Sequence, residues 1–188
     1  MDAVSRVAET EALCWICGER LLGAPAPERI CLECTRQTPP FRRAIAFGNY
    51  EGRLRELIHL LKYEGMRAVA SILGGYLAEA AKPLMAEMDD TPLVVPVPLH
   101  QSKQRQRGFN QSELIARAMV RKLGEQHWEV DGGALERRRA TGSQMGLSRA
   151  QRRVNLRGAF YASHPDRIAG RNIPVSYTHL TLPTTPYV

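Results

Sequence analysis

Apolar positions recur along most of the chain, and their spacing divides it into alternating elements. Leu54, Leu57, Ile58 and Leu61 stand at helical intervals, so residues 53–63 predict an amphipathic helix. A second helix is predicted from about 68 to 83, with Gly74-Gly75 as a weak point inside it. Leu93-Val94-Val95-Pro96-Val97-Pro98 is a continuous apolar run, the pattern of a buried strand in a parallel sheet. Residues 112–124 return to helical spacing through Leu114, Ile115, Ala118, Met119 and Leu123. Further strands are predicted at 44–50, 134–138 and 158–162. This alternation of strands and helices indicates an α/β domain. Residues 1–12 read as a short leader, and Pro39-Pro40 marks a boundary between an N-terminal segment (1–40) and the α/β domain (41–174).

The N-terminal segment contains all four cysteines. Cys14-Trp15-Ile16-Cys17 and Cys31-Leu32-Glu33-Cys34 are two CxxC pairs separated by thirteen residues. Two tight CxxC turns each present a pair of thiolates, and four soft ligands in a tetrahedron suit Zn²⁺. Disulfides or idle thiols are the alternative, disfavoured in a reducing compartment where every cysteine finds a place in the pattern. A four-thiolate site has no open position, so its role is structural or serves to present a surface.

Charge narrows the partners. The net charge is +7, with basic clusters at 103–107, 137–139 and 149–157. Such an excess favours an anionic partner, either nucleic acid or a phosphorylated small molecule, unless the clusters are simply solvated faces. No apolar run reaches the ~20 residues of a membrane span, and the N-terminus has no apolar signal core. A cytoplasmic protein without membrane insertion is expected.

The run 93–98 ends in a loop, Leu99-His100-Gln101-Ser102-Lys103-Gln104-Arg105-Gln106-Arg107, that leads into a helix. Ligands in open α/β sheets sit where strands end and helices begin, so Lys103, Arg105 and Arg107 form a candidate anion site. A solvent-facing basic loop is the alternative.

The stretch LVVPVPLHQSKQRQRGFNQSELIARAM resembles the signature of the ComF family, also called GntX-like, of the type I phosphoribosyltransferase fold. LRELIHLLKYEGM upstream and LERRRATGSQMGLSRAQRRVNLRGAF downstream follow the same family order, and the double CxxC is similar to its zinc ribbon. The resemblance covers roughly residues 12–173. It implies a Rossmann-like parallel sheet behind a four-cysteine zinc ribbon. It also implies that Pro96, Val97, Pro98, Leu99 and His100, with Lys103 and Arg107, bind pyrophosphate. Gln144, Arg152, Arg153 and Asn155 would belong to a mobile loop that closes over the substrate, although these basic residues could equally form one face of a hairpin. Lys62 belongs to the family's Lys-Tyr pair; an exposed lysine at a helix end is the other reading. The complete protein would bind phosphoribosyl pyrophosphate with Mg²⁺, as a phosphoribosyltransferase or as a non-catalytic relative. The alternative is an accessory protein that binds single-stranded DNA, or other DNA-uptake proteins, during competence.

Residues 175–188 break the family pattern. The codons GTC TCT TAT ACA CAT CTG of a common transposase sequencing adaptor translate to Val-Ser-Tyr-Thr-His-Leu, which is Val175 to Leu180. This segment is therefore expected to be a non-native tail. The phosphoribosyltransferase-like domain would then be incomplete and this chain inactive, because the acidic pair and sugar-phosphate loop that follow Ile173 in the family are missing.

Overall fold

The apolar run after Pro92 forms β1 (Leu93–Pro96), and all four residues are buried. It lies between two parallel neighbours, β2 (Glu129–Val130) and β5 (Val175–Ser176). Leu93 stands opposite Glu129, and Val95 opposite Val175. The computed structural model describes residues 12–23, 26–85, 87–88, 91–144 and 146–177. The expected leader lies outside these except for Ala12, as does the tail beyond Tyr177.

A strand flanked on both edges and covered on both faces has no polar side, which is why its sequence is apolar throughout. Val94 faces one layer, with Ala78, Ala81, Ala116, Met119 and Trp128. Leu93 and Val95 face the other, with Ala134, Ile168 and Ile173. The helical layer consists of α2 (Gly52–Tyr63), α3 (Val69–Met85) and α5 (Gln111–Leu123). Leu54, Ile58 and Leu61 from α2 meet Leu73, Phe109 and Ile115 in one cluster. β3 (Leu135–Arg137) and β4 (Phe160–Ala162) form a separate antiparallel hairpin. Shorter helices complete the described residues: α1 (Leu32–Arg36), α4 (Gln101–Arg107), α6 (Arg149–Leu156) and α7 (Pro165–Ile168). This is the mixed α/β class that the alternation predicts. None of the helices described is long and apolar enough to cross a membrane.

Two expectations need correction. Among the described residues, 44–50 form no strand of the sheet, although Gly48 makes an isolated β-bridge. Their groups go to other neighbours: Ala44 N donates to Ile16 O at 2.7 Å, Ile45 packs against the cluster that contains Val94 and Ala78, and Phe47 stacks on Tyr76 at 4.4 Å. The loop expected at 101–107 is helical. His100 Nδ1 caps it by accepting from Ser102 N at 3.3 Å, and Gly108 ends it with a φ of 76°. α3 runs unbroken through Gly74-Gly75, and Gly74 is buried against α5.

A four-cysteine centre and a basic cavity

The ribbon is organised around its sulfur atoms. Leu13 and Arg20 form an antiparallel bridge that closes the first knuckle. Within it Gly18 N donates to Cys14 O at 2.9 Å, with Gly18 at a φ of 72° that favours glycine. The second knuckle starts α1, and Cys34 N donates to Cys31 Sγ at 3.4 Å. The four Sγ atoms lie within 4.8 Å of one another. Cys17 Sγ and Cys31 Sγ are 3.7 Å apart, close to the ~3.8 Å sulfur–sulfur spacing of a tetrahedron with ~2.3 Å zinc–sulfur bonds.

The chemistry of the donors agrees with a divalent cation. Burial pushes the Cys14 thiol up, but backbone N–H groups of Cys17, Cys31 and Ile16 outweigh it and bring it down to about 7. Burial pushes Cys17 up, and pushes Cys34 up to about 11. Several thiolates so close together repel one another, and a cation among them removes that penalty. The residues fit a zinc ion held by Cys14, Cys17, Cys31 and Cys34. The ribbon is tied to the domain through Arg43, whose guanidinium lies 3.5 Å over the Trp15 ring and pairs with Glu87.

At the carboxyl end of β1 the predicted phosphate residues separate into two groups. Pro96 is fully buried in the strand. Val97 O accepts from Asn110 Nδ2 at 3.1 Å, while Asn110 Oδ1 accepts from Ser112 N at 3.0 Å. Asn110 thus caps α5 and anchors the Pro96–His100 loop with a single side chain. Pro98, Leu99 and His100 are half-buried, and the imidazole of His100 is engaged as the α4 cap, 2.9 Å from Ser102 Oγ.

Lys103 and Arg107 line a cavity of about 370 Å³ between α4 and the end of α2. Lys62, Tyr63 and Phe109 border the same space. Lys62 is 7% exposed, which corrects the exposed-lysine reading. Burial pulls its ammonium down from 10.5 to about 8, and the charge of Arg107 adds to this. Arg107 in turn hydrogen-bonds Gln111.

The lowered lysine has a measurable consequence. A folded-state value below the unfolded one means the unfolded chain holds more protons between pH 8 and 10.5, so stability rises with pH across that window. Lys62→Met is expected to stabilise the fold at pH 7 by about 2 kcal/mol and to flatten that rise. Urea unfolding at pH 7 and 10 checks both, and a destabilised variant would show the ammonium to be well compensated.

Comparison with known proteins bears on what this arrangement belongs to. The chain is 34% identical over 176 residues to the DNA utilization protein YhgH of Escherichia coli K12, covering 91% of this chain and 73% of the relative. The corresponding protein of Salmonella typhi is 34% identical over 163 residues, 85% of this chain and 68% of that one. Competence protein F of Haemophilus influenzae is 30% identical over 134 residues, 69% of this chain and 56% of that protein. The chain belongs to the ComF family. No family model matches it, and no solved structure matches it at a significant level.

In this ComF-family chain the predicted closing segment forms the connection between β3 and β4 and is held by hydrogen bonds within itself. Ser148 and Gln151 form a capping box that starts α6. Arg152 Nε donates to Gln144 O at 3.3 Å, and Asn155 Nδ2 donates to Gly142 O at 3.1 Å. Arg139 donates to Asn155 O at 2.8 Å and Arg157 O at 2.6 Å, satisfying the end of α6. Arg153 is exposed. Gln144 differs from its neighbours: both its side-chain polar atoms are buried with no hydrogen-bond partner among the described residues, as is Arg137 Nε. Asn110 is not singled out in the sequence analysis, although its place as a capping residue just before an apolar helical run signals it.

Proposed function

We propose that the complete protein binds phosphoribosyl pyrophosphate at the carboxyl end of β1 and serves DNA uptake or utilization. The observation that supports this most is the loop following Pro96. It leaves a doubly flanked parallel strand, is anchored by Asn110, and is followed by basic α4, in the position where open α/β sheets take ligands. In this reading Pro96, Val97, Pro98, Leu99 and His100 present the pyrophosphate loop, and Lys103 and Arg107 add positive charge behind it. Gln144 and Arg152, with Arg153 and Asn155, approach from the closing segment. Mg²⁺ supplies charge neutralisation of the phosphates when bound. Glu64 is the one carboxylate among the described residues lining the adjacent cavity, so the ion would arrive on the phosphates and not in a protein cage. The chain's own residues orient the leaving group and exclude water, which is where this chemistry gains its rate.

Calorimetry on the chain continued to the full length of its relatives tests the reading. Phosphoribosyl pyrophosphate with Mg²⁺ is expected to bind, and His100→Ala to weaken binding about three- to tenfold. No heat, and no pyrophosphate released with any nitrogen nucleophile, would reject it.

The relatives are named for DNA utilization and for competence, and a second reading is a non-catalytic protein that holds single-stranded DNA. Fluorescence anisotropy with oligonucleotides across a salt series separates the two. Binding that weakens steeply with salt supports this second reading, and salt-insensitive or absent binding rejects it.

A further inference from the structure

We propose that the cavity between α2 and α4 is a nucleotide site, with the phosphate held by Lys62, Lys103 and Arg107 and the base against Tyr63. The cavity shares Lys103 and Arg107 with the pyrophosphate reading, but none of residues 96–100 lines it. Lys62 reaches it from the last turn of α2, and Lys103 and Arg107 from one face of α4. Three cations there face one carboxylate, Glu64. Like charges gathered around one space repel one another, and a phosphate placed among them lowers that repulsion. Phosphate binding by Lys and Arg is also the strongest class of charge-assisted hydrogen bond.

The size and the walls of the cavity argue for more than a bare phosphate. At about 370 Å³ it is in the range of small-molecule sites, many times the ~30 Å³ of a water. Tyr63 borders it and is 69% exposed, with Arg107 5.9 Å from its ring. Phe109 closes the inner side and is 7% exposed. An aromatic ring beside a cluster of cations is the pairing that receives one base and one phosphate of a nucleotide. That unit could come free in solution or as the 5′-phosphorylated end of a DNA strand; the chemistry is the same.

Deoxyadenosine 5′-monophosphate titrated into the full chain by calorimetry at low salt is the first measurement. It is expected to bind, with deoxyadenosine at least about tenfold weaker. Lys62→Met should weaken the nucleotide about tenfold or more, and Tyr63→Ala about three- to tenfold. Should Lys62→Met fail to fold, Lys103→Gln on the exposed side of α4 should still cost about threefold. A 5′-phosphorylated oligonucleotide that binds more tightly than the free nucleotide, with the same two dependences, assigns the source to a strand end; the reverse order assigns it to free nucleotide. An unchanged affinity in Lys62→Met, or inorganic pyrophosphate binding as tightly as the nucleotide and indifferent to Tyr63→Ala, overturns the proposal. So does an absence of binding. Nucleotide binding that depends on Lys62 while phosphoribosyl pyrophosphate fails to bind would reject the pyrophosphate reading and leave this one standing.

Discussion

Replacing Cys14 and Cys34 together with serine is expected to release one zinc ion per chain and to unfold the ribbon while leaving α2, α3 and α5 in place. The ribbon has little else to hold it. Among its described residues Ala12, Cys14 and Cys34 are buried, whereas Trp15, Leu22, Ile30 and Leu32 are 39%, 95%, 48% and 74% exposed. A segment that buries so little apolar surface cannot offset the entropy of ordering its backbone. Coordination can, since structural zinc sites contribute on the order of 10 kcal/mol to folding at neutral pH. Loss of the centre should also free Arg43 from its place over Trp15, leaving the 39–50 segment less protected. Elemental analysis together with hydrogen exchange across residues 12–43 measures both effects. Full metal retention in the double variant, or unchanged ribbon protection after chelation, would defeat the assignment.

The sequence reveals this centre easily because CxxC spacing is local: each pair of ligands sits in one turn, whatever the rest of the chain does. The same holds for β1, whose burial on every side is written as an unbroken apolar run. Less was legible where tertiary contacts decide. Nothing apolar marks Gln101–Arg107 as a helix; a cap at His100 and a left-handed Gly108 set it. Residues 44–50 carry β-forming side chains, yet Phe47 is taken up by Tyr76 of α3. The resemblance alone singles out Lys62 and leaves an exposed lysine as the other reading, yet its burial is legible in the sequence. Positions 54, 58 and 62 recur at intervals of four along α2, so a lysine there falls on the stripe that Leu54 and Ile58 bury. A charged residue on an apolar stripe is the pattern that should have directed attention to the cavity. Of the candidate site, the residue types were readable, but their division between the Pro96–His100 loop and the cavity depended on α4 being a helix.

Gly74→Ala should be the most damaging single-methyl change in the domain, reversing the usual sign for a glycine within a helix. Alanine in place of glycine ordinarily stabilises a helix interior by about 1 kcal/mol. At Gly74 an added Cβ would lie 2.5 Å from Ala118 Cβ, 2.8 Å from Met119 N and 2.9 Å from Ala118 C. Two of these three neighbours are α5 backbone, and the third is a Cβ fixed to it, so no side chain can rotate away. The two helices must separate, which opens the packing of Ala78, Ala116 and Met119 beneath Val94. The overpacking costs up to about 3 kcal/mol, so the expected net loss is about 1–2 kcal/mol. Gly75, one residue on, has nothing within 4 Å of its added Cβ, so Gly75→Ala should gain about 0.5–1 kcal/mol and serves as the matched control. Guanidinium unfolding of both variants reads the contrast directly, and equal stability for the two would disprove the close crossing of α3 and α5. The effect should extend to the site. α5 begins at Asn110, the residue that anchors Val97, and shifting that helix by even a few tenths of an ångström strains the bond that positions the Pro96–His100 loop. If the loop holds phosphate as proposed, Gly74→Ala should therefore weaken phosphoribosyl pyrophosphate at temperatures where the variant is still folded, whereas Gly75→Ala should leave its affinity unchanged.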